Sequence, residues 1–279
     1  MSRKPSGLPD YESPPVAEVA IAIQFDPLDK IRTTHLGLLW SQFRDRFPKV
    51  EEHPPRDSAF ESFEPAAASD QGPQVEIVGS PQVPRTWFLT EDEAELIQVQ
   101  QDRFVFNWRR RENSDEYPHY EHVRSRFKSN LKKYIGFLEE ENLGRPEPNQ
   151  CELTYINHIE SGSVWSEHSE VGKVIPSLTP KYSDSFLGEP EDVRAKFRYR
   201  IPAESGDPQG RLHIHVEPAF KQKNLDPVLK LRLTARGLPA DSSFEGAFSF
   251  LDTAHRWIVR GFTSITSTAM HQVWERKDA

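Results

Sequence analysis

The chain has 279 residues, of which 36% are hydrophobic and 28% charged, so it is long enough to bury a core beneath a well-solvated surface. Its formal net charge of −8 argues against general affinity for nucleic acids or membranes, but it is compatible with a local basic surface. Its one cysteine, Cys151, excludes an intramolecular disulfide bond.

The chain begins with a polar segment, residues 1–13, which we expect to be a flexible N-terminus. This segment lacks the apolar stretch of a signal peptide, so we expect a cytoplasmic protein. No apolar run approaches the roughly 18 residues of a membrane helix, and we expect no membrane contact. Residues 19–25 alternate between large apolar and small or polar side chains, as in a half-buried strand. An apolar stripe at 36–47 then predicts a helix that ends before Pro48.

Residues 51–72 are acidic, rich in proline and alanine, and without a period, which predicts a loop. Short alternating segments separated by polar turns then predict an antiparallel meander, with strands at 75–78, 85–90, 95–100 and 104–110. A long amphipathic helix is predicted from about residue 118 to 143, where Gly144 ends it.

Residues 144–150 are the best candidate for a boundary between two halves of the chain. The second half opens with a strand at 152–159 and continues with a weakly indicated short helix at 170–178. Further elements follow as strands at 196–201, 211–217 and 229–235 and a closing helix from about 243 past 263.

The two halves show the same order of elements: a strand, a helix, three or four strands and a long helix. Residues 104–108 alternate just before the first long helix, and residues 229–233 alternate just before the second. We therefore predict an α+β fold of two tandem repeats, 14–146 and 147–279, whose antiparallel sheets are each covered by a long C-terminal helix. The order resembles the repeat of TATA-binding-protein-like folds, a likeness of fold that does not imply a function.

Three segments also resemble motifs of a family of uncharacterised, sporadically distributed bacterial proteins. These are the opening strand PPVAEVAIAIQF at 14–25, the segment LTYINHI at 153–159, and the C-terminal residues Ala254, His255, Phe262, Thr263, His271 and Trp274. The resemblance implies membership of a family without an agreed activity, and it supplies no catalytic residues. Sporadic distribution is typical of mobile or defence-linked genes, which implies a place in a bacterial defence or toxin–antitoxin-like system.

A basic strand face in the second half is the sharpest candidate for a binding site. If the strands at 196–201, 211–217 and 229–233 are neighbours, one sheet face collects seven cationic or titratable side chains. They are Arg198, Arg200, Arg211, His213, His215, Lys230 and Arg232. Such a face suits nucleic-acid phosphates or an acidic protein surface. The simpler interpretation is a solvated face with cross-strand ion pairs.

The same face offers an alternative in metal chemistry, because His213, His215 and Glu217 alternate on one strand. Side chains two residues apart lie ~7 Å from each other, so one strand cannot complete such a site without ligands from elsewhere. The sequence contains no P-loop, Rossmann fingerprint, G-x-S-x-G or metal-spaced Cys/His cluster, and we predict no cofactor and no metal.

The sequence therefore favours a non-enzymatic protein-binding or regulatory component, with a protein partner encoded by a neighbouring gene. Nucleic-acid binding through the basic face is the first alternative, and a metal-dependent enzyme at His213 and His215 is the second. Homo-oligomer formation stays open.

Overall fold

The computed structural model describes residues 7–63, 83–111, 116–184 and 186–277, and these form the expected mixed α+β fold. The strands, in chain order, are β1 Asp10–Tyr11, β2 Val16–Phe25, β3 Lys49–His53, β4 Arg85–Leu89, β5 Glu95–Gln100, β6 Arg103–Arg109, β7 Pro148–Glu160, β8 Ala195–Pro202, β9 Pro208–Phe220, β10 Pro227–Gly237 and β11 Arg276–Lys277. The helices are α1 Thr33–Phe43, α2 His119–Glu140, α3 Val171–Val174, α4 Phe244–Ile265 and α5 Thr268–Val273. The predicted strand at 75–78 lies outside the described residues.

One antiparallel sheet of nine strands organises the molecule, in the order β3-β4-β5-β6-β2-β7-β10-β9-β8. Strands β2 and β7 pair at its centre, where Ile21 lies opposite Leu153. The expectation of a separate sheet for each half is therefore wrong. Sequence periodicity indicates which face of a strand is buried, but it does not indicate which strand pairs with its edge.

The long helices cover one face of this sheet, here called the helix face. Helix α2 packs on β2 and β6, and α4 packs on β7, β9 and β10. Ile21 lies between Phe106 of its own half and Leu153 of the other half, so the apolar rows of both halves join into one continuous core. Arg124 of α2 donates to both carboxylate oxygens of Asp252 of α4, at 2.7 and 2.9 Å, which links the two helices.

The predicted helices are confirmed in α1, α2 and α4, and Ser243 caps α4 by accepting a hydrogen bond from the backbone N–H of Gly246 at 3.0 Å. The region predicted as one short helix, 170–178, is instead divided. A 3₁₀ turn at His168–Glu170 precedes α3, and a second at Pro176–Leu178 follows it. Pro176 cannot donate a backbone hydrogen bond, which limits α3 to a single turn.

The expectation of a flexible N-terminus is wrong for its last residues. Strand β1 pairs with β11, and the side chain of Tyr11 is buried against Phe262 and Trp274, with ring centroids 5.7 and 6.1 Å away. One aromatic residue in a polar segment gives no periodic signal, although it is enough to anchor the segment.

The predicted loop at 51–72 also begins differently, because its first three residues belong to strand β3. This strand pairs with β4 at the edge of the sheet, and most of its side chains are exposed. An edge strand with two polar faces lacks the apolar alternation by which strands are recognised. Residues 54–63 continue as an irregular segment, and the rest of the predicted loop lies outside the described residues.

The backbones at Gly237 and Gly210 lie close to the ring of Phe250, and this packing predicts how a substitution at Gly237 changes stability. Gly237 lies opposite Gly210, and a Cβ atom added to Gly237 would lie 2.4 Å from the carbonyl oxygen of Gln209 and 2.5 Å from the ring of Phe250. We expect Gly237→Ala to lower the free energy of unfolding by about 2 kcal/mol or more, because both neighbours must move.

The matched control for this substitution is Gly136→Ala, within α2, where an added Cβ meets nothing within 4 Å. This change should raise the free energy of unfolding by about 0.5–1 kcal/mol through helix propensity. Urea denaturation of both variants measures the two effects. Equal free energies for the two variants would contradict the packing described around Phe250.

Candidate functional site

The face of the sheet opposite the helices, here called the open face, carries all seven residues of the predicted basic patch. Strands β8, β9 and β10 are neighbours in the sheet, as the prediction required. Arg198 lies opposite His213 and Arg200 opposite Arg211. Arg232 lies opposite His215, and Lys230 lies on the same face one pair further along β10. The structure therefore brings the predicted residues together.

These residues differ in how strongly their charges are engaged. Arg198, Arg200 and Lys230 are exposed and form no hydrogen bond or ion pair with the described residues. Arg232 donates a hydrogen bond to Nδ1 of His215 at 2.9 Å. Partial burial and the neighbouring positive charge of Arg232 lower the pKa of His215, so this ring acts as a neutral acceptor.

A buried carboxylate that the sequence did not point to, Glu61, neutralises part of the patch. Its side chain is 5% exposed, and one oxygen accepts a hydrogen bond from Arg211 at 2.8 Å while the other contacts His213. Arg236 lies 3.8 Å away. Burial of the carboxyl raises its pKa, but the hydrogen bonds from His213 and Arg211 outweigh burial and lower the pKa of Glu61.

Glu61 belongs to residues 54–63, here called the crossing segment, which runs over the open face from the outer edge of one half to the other half. Side-chain amides of the sheet bind its backbone. Gln100 accepts from the N–H of Arg56 at 2.9 Å and donates to its carbonyl at 2.8 Å. Gln24 accepts from the N–H of Ala59 at 3.2 Å, and Gln150 accepts from the N–H of Glu61 at 3.4 Å.

This arrangement is recognition of a polypeptide backbone within one chain. Arg103 adds hydrogen bonds to the carbonyls of Arg56 and Asp57, at 3.1 and 2.9 Å, and Arg211 adds one to the carbonyl of Ser62 at 2.7 Å. Hydrogen bonds to backbone N–H and C=O groups form whatever side chains the bound segment carries. The group of Arg211, His213 and Arg236 around Glu61, in contrast, selects a carboxylate.

Beside the crossing segment the open face forms a cleft of about 720 Å³ that extends over both halves of the sheet. Four nitrogen donors of cleft-lining residues are buried and have no hydrogen-bond partner among the described residues. They are Nε2 of Gln24, Nε2 of Gln150, Nε of Arg85 and Nε1 of Trp87. These four atoms lie beneath the surface of the cleft, so an acceptor in the cleft reaches them only when their side chains rotate.

The indole of Trp87 is enclosed by cations instead of offering a free face. The guanidinium carbons of Arg85 and Arg109 lie 5.3 and 5.0 Å from its ring, and the His53 ring lies 4.1 Å from it. The cation–π contacts hold these two arginines over the cleft, and they leave little of the ring for stacking on a base.

The histidines proposed as metal ligands are both engaged by neighbouring side chains, His213 by Glu61 and His215 by Arg232. Across the described ranges, no group of three or more His, Cys, Asp or Glu side chains is placed to hold a metal ion.

The sequence indicated the cationic strands, but it did not indicate the groups that hold the crossing segment on the open face. Glu61 contacts residues 150 or more positions away, in the other half of the chain, so no local sequence pattern predicts these contacts. Gln24, Gln100 and Gln150 carried little signal, since each is one of several polar residues on a strand that also supplies core side chains.

Comparison of the sequence with models of known protein families gives no match, and comparison with curated proteins gives none either. Within the described residues no helix is long and apolar enough to cross a membrane.

The Glu61 contacts predict how the crossing segment is held. In Glu61→Gln the charge-assisted hydrogen bonds are lost, and such bonds contribute about 1.5–3 kcal/mol each. We expect amide hydrogen exchange of residues 56–61 to become about tenfold faster or more. The matched control is Glu217→Gln, an exposed carboxylate on the neighbouring part of β9, which should leave this exchange unchanged. Equal exchange in both variants would contradict the anchoring role.

The lowered pKa of Glu61 fixes the pH dependence of the same anchor. A carboxyl whose pKa is lower in the folded state contributes stability above its ordinary value of 4.5, and the contribution is lost as the pH falls through the lowered pKa. Protection of residues 56–61 in the unaltered protein should therefore persist at pH 4.5 and disappear at lower pH. Loss of protection already between pH 6 and 5 would contradict it.

Proposed function

We propose that this chain is a non-enzymatic binding protein that holds an extended, acidic segment of a partner protein in the cleft of the open face. The observation that carries the proposal is the binding of the crossing segment on this face, through the amides of Gln24, Gln100 and Gln150 and the guanidinium groups of Arg103 and Arg211. Backbone carbonyls and carboxylates are the acceptors that an extended acidic polypeptide supplies.

The crossing segment supports a polypeptide as the ligand, because it is itself a stretch of chain, with the carboxylates of Asp57 and Glu61, that is bound on this face. Gln100 binds both backbone groups of Arg56, and the Glu61 carboxylate lies among Arg211, His213 and Arg236. A partner segment that lies beside it would meet the same kinds of groups. The cleft remains large with the crossing segment in place, so binding does not require its removal.

The order of strands supports a further proposal, that the chain is a duplicated unit. From the centre outward, the first half runs β2-β6-β5-β4 and the second runs β7-β10-β9-β8. In each half the strand that comes first in the chain lies innermost and the strand before the long helix lies next to it. Gene duplication followed by fusion would place two related faces side by side and produce one cleft across both.

Nucleic-acid binding is the second candidate, and one observation favours it. Arg198, Arg200 and Lys230 are exposed cations on the open face without partners among the described residues. Phosphates would neutralise them, and the affinity would then fall steeply with salt concentration. The enclosure of Trp87 favours the polypeptide, because no other Phe, Tyr or Trp side chain is among the described lining residues to stack on a base.

The resemblance to a sporadically distributed bacterial family supports a regulatory role in a defence or toxin–antitoxin-like system. In that setting the partner would be a protein encoded by a neighbouring gene, with its acidic segment in the cleft.

Fluorescence anisotropy with two labelled probes of similar charge tests the proposal: a hexaglutamate peptide and a six-nucleotide single-stranded oligonucleotide. We expect the peptide to bind more tightly, because its backbone can form with the amides and guanidinium groups of the open face the kinds of hydrogen bonds that the crossing segment forms. Arg232→Glu, which changes a cleft-lining cation, should weaken peptide binding by about tenfold or more.

The matched control is Arg198→Glu, which makes the same charge change on the same face but outside the lining of the cleft. It should weaken peptide binding by only about twofold, through long-range electrostatics. Equal losses in the two variants would show that general charge, not the cleft, binds the peptide. Tighter binding of the oligonucleotide would favour the nucleic-acid candidate.

A further inference from the structure

A separate cavity of about 110 Å³ lies on the helix side of the sheet, between β7, the two long helices and the N-terminal segment. Seven aromatic or imidazole rings contribute to its lining, and aliphatic side chains such as Leu233 and Ile258 form much of the remaining wall. The rings belong to Tyr11, Tyr117, His119, Tyr120, Tyr155, His255 and Phe262. An apolar cavity with a few polar groups is the usual form of a small-molecule site.

The charged side chains of the lining are carboxylates. Its acidic members are Asp10 and Glu121, and no lysine or arginine is among its described residues. Burial is the main cause of the raised pKa values of Tyr117 and Tyr155, and the charge of Glu121, exposed in the first turn of α2, adds to both. Lys277 lies 4.0 Å from Asp10, so Glu121 is the carboxylate whose charge favours a cation over a small anion here.

His255 is the polar group without an explanation in the fold. Its ring stacks on Tyr120 with 4.0 Å between centroids and 8° between planes. Burial lowers the pKa of His255 to about 4, against the opposing charges of Glu121 and Asp252, so the ring is neutral at pH 7. Its nitrogens form no hydrogen bond with the described residues, and it lines the cavity.

Two tyrosine hydroxyls supply further polar groups. The hydroxyls of Tyr117 and Tyr155 lie 2.7 Å apart, and burial raises the pKa of both, so both stay protonated. One hydroxyl hydrogen serves their mutual hydrogen bond, which leaves the other hydrogen and unused lone pairs available to a ligand.

We propose that this cavity binds a small organic cation that carries a hydroxyl or amino group, as a hydroxyalkyl-ammonium compound does. The aromatic rings would hold the cationic head by cation–π attraction, and Glu121 would add charge complementarity. The hydroxyl or amino group would hydrogen-bond to His255 or to the tyrosine pair. This site lies on the opposite side of the sheet from the proposed peptide cleft and does not depend on it.

Isothermal titration calorimetry with choline chloride and with 3,3-dimethyl-1-butanol tests the charge. The two compounds have the same shape and hydroxyl group, and only choline carries a positive charge. We expect choline to bind about tenfold more tightly, because cation–π attraction and the Glu121 charge act on choline alone. Equal affinities, tighter binding of the alcohol, or no binding of choline at millimolar concentration would each overturn the proposal.

Two substitutions assign the binding to this cavity. Glu121→Gln should weaken choline binding about threefold to fivefold and leave the alcohol unaffected. Phe262→Leu should weaken choline binding by about fivefold while it keeps an apolar wall. The matched control is Glu245→Gln, a carboxylate in the first turn of the other long helix, which should change neither affinity. If Glu245→Gln weakens choline binding as much as Glu121→Gln does, the assignment is wrong.

Discussion

The pairing of β2 with β7 is the interaction on which the rest of the structure depends. It runs from Val16 to Phe25 along one strand and joins the two halves into a single sheet. Because side chains alternate along a strand, this register also decides which face each residue joins. With Ile21 opposite Leu153, the apolar rows of both halves meet beneath the helices, and the polar rows meet on the other side. A shift of one residue would place charged side chains in the core.

The polar side of this sheet concentrates positive charge on a chain whose net charge is negative. The net charge of −8 describes the whole chain, whereas the open face gathers arginines from both halves around a few carboxylates. Within a cleft, where screening by water and salt is weaker, the local arrangement determines what binds. Glu61 occupies one part of that arrangement, while Arg198 and Arg200 at the far edge stay solvated. The aromatic cavity behind the sheet has the reverse character, with carboxylates and neutral rings.

Much of the fold followed from periodicity, and much of the site did not. Alternation identified most of the strands, the apolar stripes identified α1, α2 and α4, and the shared face of Arg198, His213 and Arg232 followed from strand geometry. Features that depend on contacts distant in sequence gave no local signal. These include the joining of the halves at β2 and β7, the placement of Glu61 on the second half, and the cavity around His255. His255 lines that cavity, and its stacking on Tyr120 joins residues of two different helices.

The crossing segment has a mechanical consequence. It is hydrogen-bonded to Gln100 in one half and to Arg211 in the other, so it links the two halves across the open face. A sheet of many strands can change its twist gradually from strand to strand, and a link of fixed length limits that change. The width of the cleft and the curvature of the sheet are therefore coupled. Anything that detaches Glu61 would alter the spacing between Arg85 on one side and Arg232 on the other without touching either residue.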